Sequence, residues 1–216
     1  MINLDRQLKL FKLMAEQCKK KVEVLVIGGS AMLFYNFSKK ATKDIDLVAL
    51  FENERKYLAS VLERAGFRQT FVPGKENERE PCRLEMGEYV VDIFDGKVFR
   101  LTISQGMLDR IREKIEFGSL TVSVISPEDI IISKCMTDRP GDRQDAASII
   151  NEINVNWDII IKECRWQSEH GDFRFSLYLH DFLDDLVHDF HIDVPEKTLK
   201  ETRSMCREFM ERLGKK

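Results

Sequence analysis

The stretch that decides the fold is residues 24–50, VLVIGGSAMLFYNFSKKATKDIDLVAL, in which one apolar run ends at Gly-Gly-Ser and a second carries two aspartates. The first run, which begins as VEVLVI at residue 22, predicts a strand ending in a sharp turn, and SAMLFYNF predicts a short helix capped by Ser30. DIDLVAL predicts a second strand. Because successive side chains of a strand alternate between faces, Asp44 and Asp46 are expected on the same side of it.

Paired carboxylates on a strand suggest a cation site. Two like charges held side by side repel unless a cation lies near them, and hard oxygen ligands suit Mg²⁺ or Mn²⁺. A solvated pair of aspartates at the end of a surface strand is the alternative interpretation. Asp92, inside the apolar run YVVDIF, favours the metal site because a buried charge is costly unless it is paired or metal-bound. Glu85 and Glu88 compete with Asp92 as the third carboxylate, although they flank Gly87 at a predicted turn.

The Gly-Gly-Ser turn predicts a phosphate site. Backbone N–H groups, a serine hydroxyl and the positive end of a helix all favour an anion there. Three lysines, Lys39, Lys40 and Lys43, separate the turn from the aspartates. Either they steer an anionic substrate, with Lys43 a nucleotide-binding candidate, or they form a solvated loop. A phosphate cradle beside a set of three carboxylates would support chemistry with two metal ions, which activate an attacking oxygen and stabilise a leaving phosphate.

The rest of the chain predicts an α+β fold with a mixed sheet and flanking helices. Extended stretches FRQTFV, CRLEM and EYVVDIF accompany the polar loop PGKENERE, and GSLTVSVISPEDIIISKCM predicts a strand leading into a helix. From GDRQDAASIINEI onward only helical spacing remains. We therefore expect a core over residues 1–140 and a helical C-terminal region over residues 141–216.

Composition restricts the function. The 216 residues include 33% charged side chains and a net charge of −3, so no global basic field attracts nucleic acid. The scattered cysteines lack a CxxC pair, which is typical of a reducing cytosol. No apolar run approaches the ~18 residues of a membrane span. The expectation is a soluble cytoplasmic protein without a membrane partner.

These residues together resemble the signature of the DNA polymerase beta-like nucleotidyltransferase superfamily. The shared pattern is Gly28-Gly29-Ser30, thirteen residues, Asp44-Ile45-Asp46 between apolar residues, and a later Asp92 in an apolar strand. The spacing is at the long end of that pattern. KKATKD and SPEDIIISKCMTDRPGDRQDAASI resemble more narrowly the AbiEii-type toxin branch and the minimal nucleotidyltransferases near it. The similarity covers roughly residues 22–150.

The resemblance implies a role for each matching residue. Gly28, Gly29 and Ser30 would hold the triphosphate, and Lys134 resembles the lysine that contacts the nucleotide in the toxin branch. The metal ligands for Mg²⁺ or Mn²⁺ would be Asp44, Asp46 and Asp92, and Asp92 would also be the base that deprotonates the acceptor hydroxyl. Asp142 and Asp145 resemble the acidic pair after the lysine in the toxin branch, and either could be the matching residue.

The function implied is transfer of a nucleoside monophosphate from an NTP to a hydroxyl acceptor, with release of pyrophosphate. A tRNA, a protein and a small molecule stay open as the acceptor. The alternative is a catalytically silent module on the same fold that binds a nucleotide or, like an antitoxin, a partner protein through its helical tail. Retention of the turn and all three carboxylates favours the enzyme.

Overall fold

The computed structural model describes residues 1–70 and 81–214, which divide into two compact units. The first unit contains Met1–Phe99 and Leu108–Ser126, and the second contains Arg100–Met107 and the chain from Pro127 onward. The sequence predicts that the helical region starts near residue 140. In the structure, the longer segment of the second unit begins at Pro127. The predicted loop PGKENERE, residues 73–80, lies outside the described residues.

A mixed seven-stranded sheet forms the first unit, which confirms the predicted α+β class. In chain order its strands are β1 (Val22–Val26), β2 (Ile45–Ala49), β3 (Arg68–Thr70), β4 (Cys82–Met86), β5 (Tyr89–Asp95), β8 (Glu113–Phe117) and β9 (Leu120–Val124). Two short strands, β6 (Lys97–Val98) and β7 (Leu101–Thr102), are not part of this sheet. The order across the sheet is β3-β4-β5-β2-β1-β9-β8. β1 is parallel to β9 and antiparallel to β2, and β2 is parallel to β5. The sequences of these central strands are near-continuous apolar runs because both of their faces are largely buried.

The helices of the first unit are α1 (Leu4–Gln17), α2 (Gly28–Met32), which a 3₁₀ turn at Leu33–Tyr35 follows, and α3 (Glu52–Arg64). The side chain of Asn3 caps α1 by accepting a hydrogen bond from the backbone N–H of Arg6 at 3.0 Å. The apolar side of α1 buries Leu10, Phe11 and Met14, as its helical spacing predicts. α3 is followed by Gly66 with φ of +97°, the glycine stop expected there.

The second unit is helical, which confirms the predicted C-terminal region. Along the chain α4 (Gln105–Asp109) is followed by α5 (Pro127–Lys134), α6 (Pro140–Glu152), α7 (Trp157–His170), α8 (Phe175–His188) and α9 (Glu196–Gly214). α5 packs against α6 and α7, and all of its side chains are buried, charged ones included. Within the described part of the chain, no helix combines the length and the apolar character needed to cross a bilayer.

One local prediction is wrong: Ser30 does not cap the helix after the turn. α2 begins at Gly28, with Ile27 in extended conformation at the N-cap and no side-chain cap. Ser30 lies inside the helix, where its hydroxyl has different partners, described below. Local pattern predicted no helix or strand in residues 97–117. This range contains the short strands β6 and β7, helix α4 and strand β8.

Candidate active site

The three predicted metal ligands lie on, or next to, two neighbouring strands. β2 and β5 are parallel, and Asp46 is the register partner of Asp92. Paired positions on neighbouring strands point to the same face of a sheet, so these two carboxylates lie side by side. Asp44 directly precedes β2. Asp44 and Asp46 are partly exposed, whereas Asp92 is buried.

Gly28 packs against the carboxylate of Asp46. Its φ is +60°, and a Cβ built on it would lie 2.8 Å from Oδ2 of Asp46. Glycine adopts this left-handed conformation without steric cost, and the missing side chain leaves room for the carboxylate. The backbone N–H of Ile27 donates to the carbonyl oxygen of Asp46 at 3.1 Å. The turn and the aspartate strand therefore form one tightly fitted unit.

This fit predicts an effect of Gly28→Ala beyond backbone strain. A Cβ at positive φ costs about 1–2 kcal/mol at any site, but at residue 28 it also displaces Asp46. Gly87 offers a matched control, since its φ is +58° and a Cβ there would meet nothing within 4 Å. We expect Gly87→Ala to lower only the unfolding free energy, and Gly28→Ala to lower it further and to weaken Mn²⁺ binding in calorimetry. Equal behaviour of the two variants would contradict the role given to this contact.

The buried hydroxyl of Ser30 ties the turn to the aspartate strand. It donates to the carbonyl oxygen of Asp44 at 3.1 Å and accepts from the backbone N–H of Asp46 at 3.2 Å. A hydroxyl has a single proton to donate, so the predicted contact of Ser30 with a phosphate requires the bond to Asp44 to open. In this structure Ser30 holds the backbone of both aspartates.

Of the three lysines between the turn and the aspartates, Lys39 lies against the turn. A Cβ built on Gly29 would lie 3.1 Å from Cε and 3.6 Å from Nζ of Lys39. Lys40 donates to the carbonyl oxygen of Phe37 at 3.1 Å, and Lys43 is exposed. An ammonium group beside a glycine turn favours an anion there. The geometry thus adds Lys39 to the candidates, and the role given to Lys43 stays a prediction.

Asp92 forms an ion pair that sequence analysis missed. Nε of Arg83 donates to Oδ1 of Asp92 at 2.8 Å, and Nη2 donates to Oδ2 at 2.6 Å. This bidentate geometry is the strongest form of an arginine–carboxylate contact. The hydrogen bonds with Asp92 raise the pKa of the Arg83 guanidinium, burial opposes this, and the charges of Asp92 and Asp44 raise it further. A guanidinium therefore shares the site with the carboxylates.

The two competing carboxylates have other partners in the first unit. Glu88 pairs with Arg6. Glu85 is exposed and accepts a hydrogen bond from the hydroxyl of Thr70 at 3.3 Å. Asp92 is accordingly the buried carboxylate next to Asp46. The two glutamates lie near the turn of the β4–β5 hairpin.

Of the three predicted metal ligands, two suit a divalent cation. Across residues 1–70 and 81–214, no group of three or more His, Cys, Asp and Glu side chains is arranged to hold a metal ion. Arg83 already holds both oxygens of the third carboxylate. Mg²⁺ is commonly bound by one or two carboxylates together with substrate phosphates, and Asp44 and Asp46 beside the glycine turn match that arrangement. The residues fit one cation that binds together with a phosphate ligand.

The second unit contains a lysine cluster made of Lys134, Asp142 and Asp145. Nζ of Lys134, whose side chain is 6% exposed, lies 2.7 Å from Oδ1 of Asp142 and 2.6 Å from Oδ2 of Asp145. Asp142 also accepts hydrogen bonds from Thr137 and, at 2.8 Å, from Arg139. Both acidic candidates left open by the sequence therefore contact the same lysine.

The pKa of Asp142 reflects two opposing effects. Burial raises the pKa of this carboxyl, but the charge and hydrogen bond of Lys134, the hydroxyl of Thr137 and the charge of Arg139 outweigh burial and lower it below its ordinary value. Asp142 is therefore ionised at neutral pH and stabilises the buried ammonium of Lys134. The cluster has the character of a structural ion-pair network.

A mixed sheet with aspartates side by side on neighbouring strands, fitted against a glycine turn, defines a nucleotidyltransferase-like protein. The chain belongs to the family "Nucleotidyltransferase of unknown function" (DUF6036), whose family model matches residues 1–170. No curated protein matches the chain in sequence.

A solved structure shows the same fold. An antigenic nucleotidyltransferase-like protein from Paracoccidioides brasiliensis is similar with a TM-score of 0.52 and 16% identity, over 87% of this chain and 90% of that chain. JHP933 from Helicobacter pylori aligns with a TM-score of 0.45 and 15% identity, over 97% of this chain and 91% of that chain. At these identities the likeness to the fungal protein supports the fold alone.

Proposed function

We propose that this protein is a metal-dependent nucleotidyltransferase, which transfers a nucleoside monophosphate from an NTP to a hydroxyl acceptor and releases pyrophosphate. The observation that carries the proposal is the seating of the Asp46 carboxylate against the Gly28 turn, with Asp92 in register on the next strand. This arrangement puts the glycine turn, proposed to receive a phosphate, in direct contact with a carboxylate proposed to bind the cation.

Two groups of residues would bind the nucleotide and its cation. Asp44 and Asp46 would hold Mg²⁺ or Mn²⁺, and the turn at residues 28–30 would receive the phosphates, with Lys39 beside it. When bound, the cation would neutralise charge that develops on the phosphates in the transition state. The protein side chains orient the triphosphate and keep its reacting end next to the strand carboxylates.

Asp92 would take the proton of the acceptor hydroxyl. It is buried, lies next to Asp46, and is a carboxylate within the same face of the sheet. A general base must come within hydrogen-bond reach of the hydroxyl, so one oxygen of Asp92 has to be released by Arg83. The role of base therefore depends on movement of a single side chain.

The finer assignments are proposals from resemblance. The motif around SPEDIIISK supports the AbiEii-type toxin branch, in which Lys134 would contact the nucleotide and Asp142 or Asp145 would follow it. A tRNA, a protein or a small molecule would be the acceptor, and the helical tail would be the docking site for a partner protein. The buried pairing of Lys134 means that nucleotide contact would need this cluster to open.

The alternative is a module on the same fold that binds nucleotide, or an antitoxin-like module that binds a partner, without turnover. One observation favours it: both oxygens of Asp92 are occupied by Arg83. A carboxylate in a bidentate ion pair is a poor base. The two functions differ in whether bound NTP is consumed.

Incubation with each α-labelled NTP, Mg²⁺ or Mn²⁺ and cell extract tests the proposal. We expect one labelled product, whose identification gives the acceptor, and its loss when the divalent cation is chelated. NTP binding without any labelled product would support the silent module. Absence of both NTP binding and transfer would contradict the enzyme and the nucleotide-binding module, and would leave the partner-binding module.

A further inference from the structure

Arg83 and Asp92 face each other across the β4–β5 hairpin and are register partners. The side chain of Asp92 is 6% exposed and that of Arg83 is 34% exposed. The carboxylate is thus covered on its solvent side by a guanidinium that contacts both of its oxygens. This geometry leaves no oxygen of Asp92 without a cationic partner.

The pair stands in competition with any cation that approaches Asp92. To coordinate Asp92, a divalent ion must replace two charge-assisted hydrogen bonds, which are about twice as strong as neutral ones. It must also approach a guanidinium that already balances one carboxylate charge. With Asp44, Asp46, Asp92 and Arg83 the local charge is two negative units, which a single divalent ion neutralises.

We propose that Arg83 is a positioning residue that competes with the divalent cation for Asp92 and confines the cation to Asp44 and Asp46. This inference rests on the proposed function, because it concerns the cation site of that function. Arg83 holds the Asp92 carboxylate in place and keeps it out of the metal coordination sphere. Asp92 then stays available for proton transfer once Arg83 moves, and a metal ion does not block it.

Mn²⁺ binding in the absence of nucleotide tests the competition directly. Free Mn²⁺ is counted by electron paramagnetic resonance as the protein is titrated with MnCl₂. We expect Arg83→Met to bind Mn²⁺ at least about tenfold more tightly than the wild type, since one competing charged hydrogen bond is worth roughly that factor. Arg83→Gln is a second test of the competition. Glutamine keeps an amide NH₂ as a hydrogen-bond donor group but carries no charge, and it changes the packing less.

Three further variants separate specific competition from a general charge effect. Adding Arg83→Met to Asp92→Asn should give no gain in affinity over Asp92→Asn alone, because the gain needs the released carboxylate. Arg55→Met removes another arginine–aspartate pair. Nε of Arg55, on α3, lies 3.2 Å from Oδ2 of Asp95, which is on β5 like Asp92, and this change should leave the Mn²⁺ affinity unchanged.

Each result has one interpretation. Wild-type affinity in both Arg83 variants overturns the inference. It is also overturned if Arg83→Met raises the affinity of Asp92→Asn as much as that of the wild type, because the gain would then come from loss of positive charge alone. In both cases the wild type still binds Mn²⁺, and the proposed function stands. Absence of Mn²⁺ binding by every variant, with and without NTP, contradicts the proposed cation site and the inference with it.

Discussion

Asp46→Asn is expected to abolish nucleotidyl transfer, with a rate at least about a thousandfold below the wild type. A cation bound at this site would contribute several kcal/mol to the transition state, and each 1.4 kcal/mol is about a factor of ten in rate. Asparagine retains the size of aspartate but loses the charge, so the fit against Gly28 survives while the cation is lost. Asp46 is the partly exposed residue of an otherwise buried strand, which makes the change tolerable for folding.

Two measurements check this prediction. Single-turnover transfer from an α-labelled NTP gives the rate, and calorimetry gives the affinity for Mn²⁺ with NTP. Asp95→Asn is the matched control, because Asp95 is a partly exposed carboxylate on the neighbouring strand β5 that pairs with Arg55. It should transfer at a rate near the wild type. Retained Mn²⁺–NTP affinity in Asp46→Asn would remove Asp46 from the cation site.

Lys134→Met is expected to lower the unfolding free energy by about 3–5 kcal/mol, the cost of removing one partner from a buried ion pair. The substitution leaves Asp142 and Asp145 without the ammonium that lies between them. Lys197→Met is the control, since the Lys197–Asp158 pair is highly exposed and such pairs contribute little to stability. Urea denaturation of the three proteins measures both differences.

Acid sensitivity gives an independent test of the same cluster. The pKa of Asp142 is lowered in the folded state below its ordinary value of 3.8, so its stabilisation is present above that pH and is lost as the pH falls through the lowered folded pKa. Without Lys134 the shift becomes smaller. The stability of Lys134→Met should therefore fall less steeply on acidification than that of the wild type.

A nucleotide-contacting lysine would behave in the opposite way. If Lys134→Met kept its stability and its acid profile but lost NTP affinity, the cluster would be part of the nucleotide site and not a structural network. The two readouts thus separate the role implied by resemblance from the role that the buried contacts support.

The sheet core and the carboxylate strands were predictable because each depends on local pattern. Continuous apolar runs identified β1, β2 and β5, and the spacing from the Gly-Gly-Ser turn identified the aspartates. Arg83 was missed, although a signal existed. A two-residue turn at Gly87–Glu88 pairs Met86 with Tyr89, and counting back along the hairpin puts Arg83 opposite Asp92.

Other features depend on contacts between segments distant in the chain and could not be found from local pattern. The hydroxyl of Ser30 is bonded to the backbone around Asp44 and Asp46, and no local rule distinguishes this from a helix cap. The pairing of Lys134 with two aspartates on the following helix depends on how α5 and α6 pack. Helical spacing predicts each helix but not their relative rotation.

The contact between Gly28 and Asp46 has a consequence for how relatives of this chain vary. A side chain at residue 28 is excluded by the carboxylate at residue 46 and disfavoured by the positive φ, but asparagine tolerates that φ. In a relative without a carboxylate at residue 46, the steric contact no longer excludes a side chain at residue 28, but the positive φ still disfavours most residues there. Within the family, asparagine at the position of Gly28 should therefore occur together with a smaller residue at the position of Asp46, and such co-substitution would mark the members without the proposed cation site.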